Sequence, residues 1–266
     1  MKRLVIVVLA SILSMTVFAE GYQVNLLSTK QTGMGHVGTG MKLGAESMHF
    51  NPAGLVFLRT NMDFSLGISA IMAKAKYSYD GYSAKTDNPV GTPLYAYAGF
   101  KIYDNLAAGI SLTTPYGNSL KWPKNWAGAG LIQDISLKSY VIQPTLSYKI
   151  TDRLSIGVGL QLAWGNVNLS RALMGASDLQ GIGTKFESLL PLLAGVPSNI
   201  IPDEDKKAMQ EMVALMKGTE VPPAYARLEG NAHMRVGFNV GIMYDVCDKV
   251  TVGLSYRSKI KMRVKE

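Results

Sequence analysis

Ala232-His233-Met234-Arg235-Val236-Gly237-Phe238-Asn239-Val240-Gly241-Ile242-Met243-Tyr244-Asp245-Val246 alternates between two kinds of side chain. Its even positions, from Ala232 through Met234, Val236, Phe238, Val240, Ile242 and Tyr244 to Val246, are all apolar. Its odd positions include His233, Arg235, Gly237, Asn239, Gly241 and Asp245. A period of two with one wholly apolar face predicts a β-strand between an apolar medium and a polar interior. The pattern resumes with Val250, Val252, Leu254, Tyr256, Ile260, Met262 and Val264 on one face. Thr251, Gly253, Ser255, Arg257, Lys259, Lys261 and Arg263 fall on the other. Four cations on one face would be costly inside a soluble sandwich. Facing a wet lumen they are tolerated, which predicts an all-β, antiparallel transmembrane β-barrel.

Weaker strands of the same kind precede these two. Met62, Phe64, Leu66, Ile68, Ala70 and Met72 alternate with polar or small residues. Leu94 to Ile102 and Leu106 to Leu112 form a pair about Tyr103-Asp104-Asn105. Tyr140 to Ile150 and Leu154 to Trp164 form another about Thr151-Asp152-Arg153, and the last two strands meet at Cys247-Asp248-Lys249. Short Asp-bearing connections suit hairpin turns. The opposite strand ends carry long connections, Asp80 to Gly91, Pro115 to Asp134 and Ala172 to Gly230, the arrangement of outer-membrane barrels with long loops outside. Composition agrees. The chain is 47% hydrophobic with 27 Gly and only 17% charged, yet its apolar residues alternate instead of forming the long runs of a helical membrane protein.

Residues 1–19 read as a signal peptide: Lys2-Arg3, an apolar stretch from Leu4 to Met15, and Val17-Phe18-Ala19 at the cleavage site. The apolar stretch is short of the ~20 residues that a spanning helix needs. Without Lys2 and Arg3 the formal charge of +8 becomes +6 (8 − 2). Export and alternation argue against nucleic acid as the partner of that charge. Cys247 is the only cysteine, so no intrachain disulfide forms.

The loop over 172–230 has helical character. Thr184-x-x-Glu187 reads as a capping box ahead of Phe186, Leu189, Leu190 and Leu193, with Pro191 expected to kink or shorten the helix. A second helix starts at Asp203-Glu204-Asp205, presents Met209, Met212, Val213 and Met216 on one face, and ends at Lys217. Greasy faces in a water-facing loop need a cover. They pack on each other or on the barrel rim, or they meet a hydrophobic ligand; methionine suits varied apolar partners.

Between the leader and the strands stands Gly33-Met34-Gly35-His36-Val37-Gly38-Thr39-Gly40, running on to Asn51-Pro52-Ala53-Gly54. It is too glycine-rich for a strand and reads, over 20–60, as a plug for the barrel over 61–266. With Gly21-Tyr22-Gln23-Val24-Asn25, Pro115-Tyr116-Gly117, Trp126-Ala127-Gly128, Arg171 and Gly253-Leu254-Ser255-Tyr256-Arg257-Ser258, it resembles the FadL-type outer-membrane transporters of long-chain fatty acids and aromatic hydrocarbons. The order and spacing of these motifs, with a helical loop in the right interval, carry the resemblance across the whole mature chain.

That resemblance implies a hatch ending in Asn51, Pro52 and Ala53 beside an opening in the wall. It places the inward kink of the third strand at Gly117, and a ligand-binding arginine at Arg171, whose guanidinium would suit a carboxylate. Arg171 as a solvated rim residue stands as the alternative. The loop residues Phe186, Leu189, Leu190, Met209, Met212 and Met216 become candidate contacts for a fatty acid or hydrocarbon. Members of the family close fourteen strands, whereas about seven are legible here, and single-chain bacterial barrels have even counts. The chain is therefore expected to be the N-terminal half of a transporter, as a fragment, truncated gene or split protein, and a monomer when complete. Outer-membrane lipid is the expected surrounding, in a Gram-negative bacterium.

No catalytic site, metal or cofactor is expected. Gly33-x-Gly35-x-x-Gly38 lacks the strand and helix of a dinucleotide fold. His36, His49 and His233 are too scattered for a metal, and no Gly-x-Ser-x-Gly elbow supports an outer-membrane lipase. Tyr95, Tyr97 and Lys101 share an inward face as lumen lining. A structural or adhesive barrel, or an inactive fragment, stands beside transport.

Overall fold

The alternating segments pair main chain to main chain into a nine-stranded antiparallel sheet. A computed structural model describes residues 23–124, 126–174, 176–217 and 224–265; the leader expected over 1–19 lies outside them. The seven strands along the sheet run in the order β1 (Met62–Ile68), β4 (Leu94–Tyr103), β5 (Leu106–Thr113), β7 (Asp134–Lys149), β8 (Leu154–Met174), β9 (Ala224–Cys247) and β10 (Val250–Arg257). Two short strands extend this path: β6 (Gly117–Lys121) pairs with β7, and β11 (Val264–Lys265) pairs with β9. A separate hairpin, β2 (Lys76–Tyr79) with β3 (Tyr82–Lys85), spans the start of the connection expected over Asp80 to Gly91. No helix among the described residues is long and apolar enough to cross a membrane.

The two faces of the sheet differ as the alternation predicts. Phe64, Leu66, Ile156, Val158, Phe238, Val240, Leu254 and Tyr256 lie exposed on one face, while Ser155, Gln161, Asn239 and Met243 are buried on the other. The buried face is covered by the segment that precedes β1. Helix α1 (Thr29–Gly33), helix α2 (Ser47–Phe50) and a 3-10 turn over Pro52–Phe57 fold into the concavity. The core forms there: Ala45, Met48, Leu55, Val56 and Leu58 pack on Tyr95, Tyr97 and Ala107. The inward tyrosines thus meet the plug rather than open lumen, and Tyr97 Oη donates to Leu27 O at 2.9 Å.

Three features depart from the simple pattern. Ala232 belongs to the buried face, whereas Met234 is exposed, because a bulge between the pairs Ala163–Arg235 and Gly165–Ala232 switches the side on which β9 presents its residues. The final strand is interrupted. After Arg257 the ladder stops and resumes at Val264 in an unchanged register, so residues 259–263 leave the ladder and return. Ser258 ends the ladder, since its Oγ accepts from Phe238 N at 2.9 Å. Ile260 then lies against Gly237 and leaves the apolar face expected for it.

The third departure is in the helical loop. Helix α3 (Ala176–Ala194) begins well before Thr184, whose hydroxyl donates to Gln180 O at 2.9 Å inside the helix instead of capping it. Pro191 sits within α3 without ending it. Strands β8 and β9 also reach into the loop, to Met174 and from Ala224. Helix α4 (Asp203–Lys217) has the expected acidic start, and α3 and α4 pair through the Glu187–Lys217 ion pair at 2.5 Å.

Candidate functional site

The plug is fixed to the wall by polar atoms of inward-facing strand residues. Asn51 is central. Its Nδ2 donates to Thr39 O at 2.8 Å and to Ile242 O at 3.1 Å, and its Oδ1 accepts from Ala53 N at 3.1 Å. Ser147 and Ser155 donate to Ala53 O at 3.1 and 3.0 Å. Gln143 Nε2 donates to Met48 O at 2.6 Å, and Asn239 Nδ2 to His49 O at 3.2 Å. The close approach depends on glycine. A methyl at Gly157 would overlap the main chain of Pro52 and Ala53, and one at Gly241 would overlap Asn51.

On the other side of the plug, Glu46 is buried and accepts from Ser28 and, at 2.6 Å, from Ser65. The charged pair Lys42–Asp245 at 2.6 Å ties the plug to β9.

Asn51-Pro52-Ala53 and Gly117 are far apart. The tripeptide seats against β7 at Ser147, whereas Gly117 pairs with Lys138, nine residues and roughly 30 Å along the same strand. The ladder is nonetheless irregular beside Gly117, although Ser139 still holds Tyr116 to β7. Between β5 and β6 the pairing with β7 slips by one residue across Thr114, Pro115 and Tyr116. The N-terminal segment lies over that irregularity: Val24 N donates to Pro115 O at 2.8 Å, and Gln23 bridges Tyr116. Gly117 itself has no positive φ, and an added Cβ would make only ordinary contact, 3.5 Å from Leu137 O. The irregularity therefore coincides with Pro115, which has no amide hydrogen to give the ladder, and not with the conformational freedom of glycine.

A cavity of about 290 Å³ lies between the N-terminal segment, the plug and β10. Gln23, Asn25, His36, Thr39, His49, Ser255 and Arg257 supply its polar lining, and Leu27 and Phe50 its apolar lining. Arg257 donates from Nη2 to His49 O, while its Nε is buried with no acceptor among the described residues. Burial, and after it the neighbouring Arg257 charge, hold His49 well below the usual imidazole range, so it is neutral at pH 7. The sequence places Arg257 in a row of lumen cations and in the Gly253–Ser258 motif, with no ligand role. Its Gly253-x-Ser255-x-Arg257 setting, small residues flanking one large cation on the inward face, was the available signal.

Arg171 is exposed on β8 opposite Ala226. It stands twelve residues, roughly 40 Å, along that strand from Gly159, the residue paired with Asn239 and hence level with Arg257. Phe186, Leu189, Met209 and Met212 are exposed on the helix pair, and Leu190 and Met216 are half-buried. Only Gly183 and Val213 are buried between or beneath α3 and α4 among their described residues. The described residues hold no group of three or more His, Cys, Asp or Glu side chains suited to a metal.

Residues 10–266 match the family described as outer membrane protein transport protein (OMPP1/FadL/TodX). The chain belongs to this family. FadL-type proteins are outer-membrane transport proteins and not enzymes, which places the chain in the outer membrane of a Gram-negative bacterium. It is 25% identical to the long-chain fatty acid transport protein of Escherichia coli K12 over 264 residues, 97% of this chain and 56% of the relative. The Salmonella typhi protein of the same name is also 25% identical, with 97% and 54% covered. A Pseudomonas aeruginosa FadL homologue shares the fold at a TM-score of 0.60 and 19% identity, over 91% of this chain and 53% of that one. The P. putida toluene transporter TodX does so at 0.55 and 21%, over 82% and 52%. The chain thus spans about half the length of the curated FadL-type relatives it matches.

Proposed function

We propose that this chain supplies hatch and wall for passive uptake of hydrophobic small molecules, long-chain fatty acids or aromatic hydrocarbons. The extracellular helices capture the ligand on Phe186, Leu189, Leu190, Met209, Met212 and Met216. The lumen binds it, with Arg171 available to a carboxylate near the loop end of β8. Movement of the hatch about Asn51, Pro52 and Ala53 then lets it leave sideways into outer-membrane lipid at the irregularity by Gly117. The completed transporter works as a monomer.

The observation that carries this reading is the slip of the ladder at Thr114–Tyr116, where Ser139 holds Tyr116 to β7 and the N-terminal segment, through Val24 and Gln23, lies over the irregularity. A stretch where regular pairing slips opens locally at lower cost than the continuous ladders beside it. The names of the relatives, a fatty-acid transporter and a toluene transporter, support the ligand class.

The test is a hatch lock. A Cβ added at Gly99 of β4 would lie 3.3 Å from Ala45 Cβ of the hatch, close to disulfide spacing, so Ala45→Cys with Gly99→Cys, in a Cys247→Ser background, brings two thiols together. Cells expressing the protein are given labelled oleate or toluene. Oxidation should stop uptake and reduction should restore it. Equal uptake in both states, with the crosslink verified, refutes release through the hatch.

A further inference from the structure

The geometry points to Arg257 as a carboxylate-binding residue: the cavity between the N-terminal segment, the hatch and β10 takes the anionic head of an acyl ligand. This inference rests on the uptake reading above but concerns a different place in the lumen from Arg171.

Three observations carry it. First, Arg257 is a cation without a counter-charge; among the described residues no carboxylate forms an ion pair with it. A buried charge persists only with compensation. Second, only part of its donor set is used. Nη2 donates to His49 O, while the buried Nε finds no acceptor among the described residues, so the guanidinium keeps donors to spare for an incoming carboxylate. Third, the residue borders a cavity of about 290 Å³ that no carboxylate side chain lines, with Gln23, Asn25 and Thr39 among its polar groups as further donors.

Size restricts the ligand. The volume equals roughly ten waters at ~30 Å³ each, enough for a head group and a few methylenes but not for a long chain. The tail must therefore extend elsewhere. Gln23 lines the cavity and also bridges Tyr116 at the slip of the ladder, so a tail leaving past Gln23 reaches that slip. A carboxylate arriving at Arg257 competes with His49 O for the same guanidinium. Binding the head thus removes one of the bonds that seat the hatch.

The test is calorimetric titration of the detergent-solubilised full chain with octanoate, octanol and inorganic phosphate. Octanoate should bind, and Arg257→Gln should weaken it roughly 10- to 100-fold, the loss expected for charge-assisted bonds. Arg227→Gln, at an exposed cation already paired with Glu229, should leave this binding unchanged. Phosphate binding with an equal loss on Arg257→Gln would assign the site to free anions and overturn the acyl ligand. Octanol binding as tightly as octanoate, or octanoate binding unaffected by Arg257→Gln, would overturn the site itself.

If Arg257→Gln does not fold, phenylglyoxal modification of the wild-type protein decides. Octanoate should protect Arg257, read by mass spectrometry, and absence of protection refutes the proposal. Failure here with intact, hatch-dependent oleate uptake would remove the Arg257 site and leave the transport reading standing.

Discussion

Gly157→Ala tests whether the hatch is seated by shape as well as by hydrogen bonds. The added methyl would overlap the carbonyl of Pro52 and the amide of Ala53, both main-chain atoms that no rotamer change can move. The hatch must retreat by about 1 Å, an overpacking strain of roughly 1–3 kcal/mol. That retreat also stretches the bonds from Ser147 and Ser155 to Ala53 O, now 3.1 and 3.0 Å, each contributing about 1 kcal/mol net. Together the seating weakens by roughly 3–5 kcal/mol, a few hundred- to a few thousand-fold in the opening equilibrium. The strand ladders are unaffected.

Hydrogen exchange should therefore accelerate at Ala53 and Val56, whose amides bond to Asn51 Oδ1 and Ser147 Oγ, and stay slow in β7 and β8. Gly91→Ala is the control, because its methyl would sit 3.5 Å from Ile71 Cβ in ordinary contact. If Gly157→Ala exchanges like wild type at those two amides, the close-approach argument is wrong.

Asn51→Ala removes three hydrogen bonds and should weaken hatch seating by about 2–4 kcal/mol, seen as protease cleavage within 39–56 before any loss of barrel mobility on cold gels. Lowering pH should loosen the same segment. His49 is held below its unfolded value of 6.5, so below that pH the released state takes up the proton first, and seating falls by about 1.4 kcal/mol per unit until the seated His49 titrates. His49→Gln should flatten this response in a pH series of exchange rates. Tyr97→Phe should cost about 1 kcal/mol through the lost bond to Leu27 O, measured by urea unfolding in micelles. Pro191→Ala should steady α3, where proline removes one helical hydrogen bond, with slower amide exchange around Glu187–Ala194.

How much of this was legible varies with the range of the interaction that decides it. Alternation at Val236–Tyr244 and Val250–Tyr256 is written residue by residue, and the three short Asp-bearing turns fixed which strands are neighbours. The bulge before Arg235 was hidden, since one extra residue leaves both halves alternating and only the pairing with Ala163 reveals it. The end of β10 was hidden too, because it depends on a single serine hydroxyl reaching Phe238 N.

Thr184 and Glu187 matched a cap by spacing alone, while the helix had already started at Ala176. At the site, Asn51 was picked from the family motif, but its reach to Ile242 spans 191 positions and no local pattern encodes it. Arg257 was visible as a charge and invisible as a neighbour of His49 for the same reason.

The paired glycines Gly157 and Gly241 have an outward side as well. They floor an apolar depression of about 410 Å³, rimmed by Leu146, Ile156, Val158, Val240, Ile242 and Leu254. With no side chain on either residue, the barrel at that spot is a diaphragm one peptide thick. A hydrocarbon tail settling into the dimple from the bilayer is parted from Pro52 by main chain alone. The hatch rests there on a membrane-facing skin, so the lipid outside and the latch inside share a single sheet of amides.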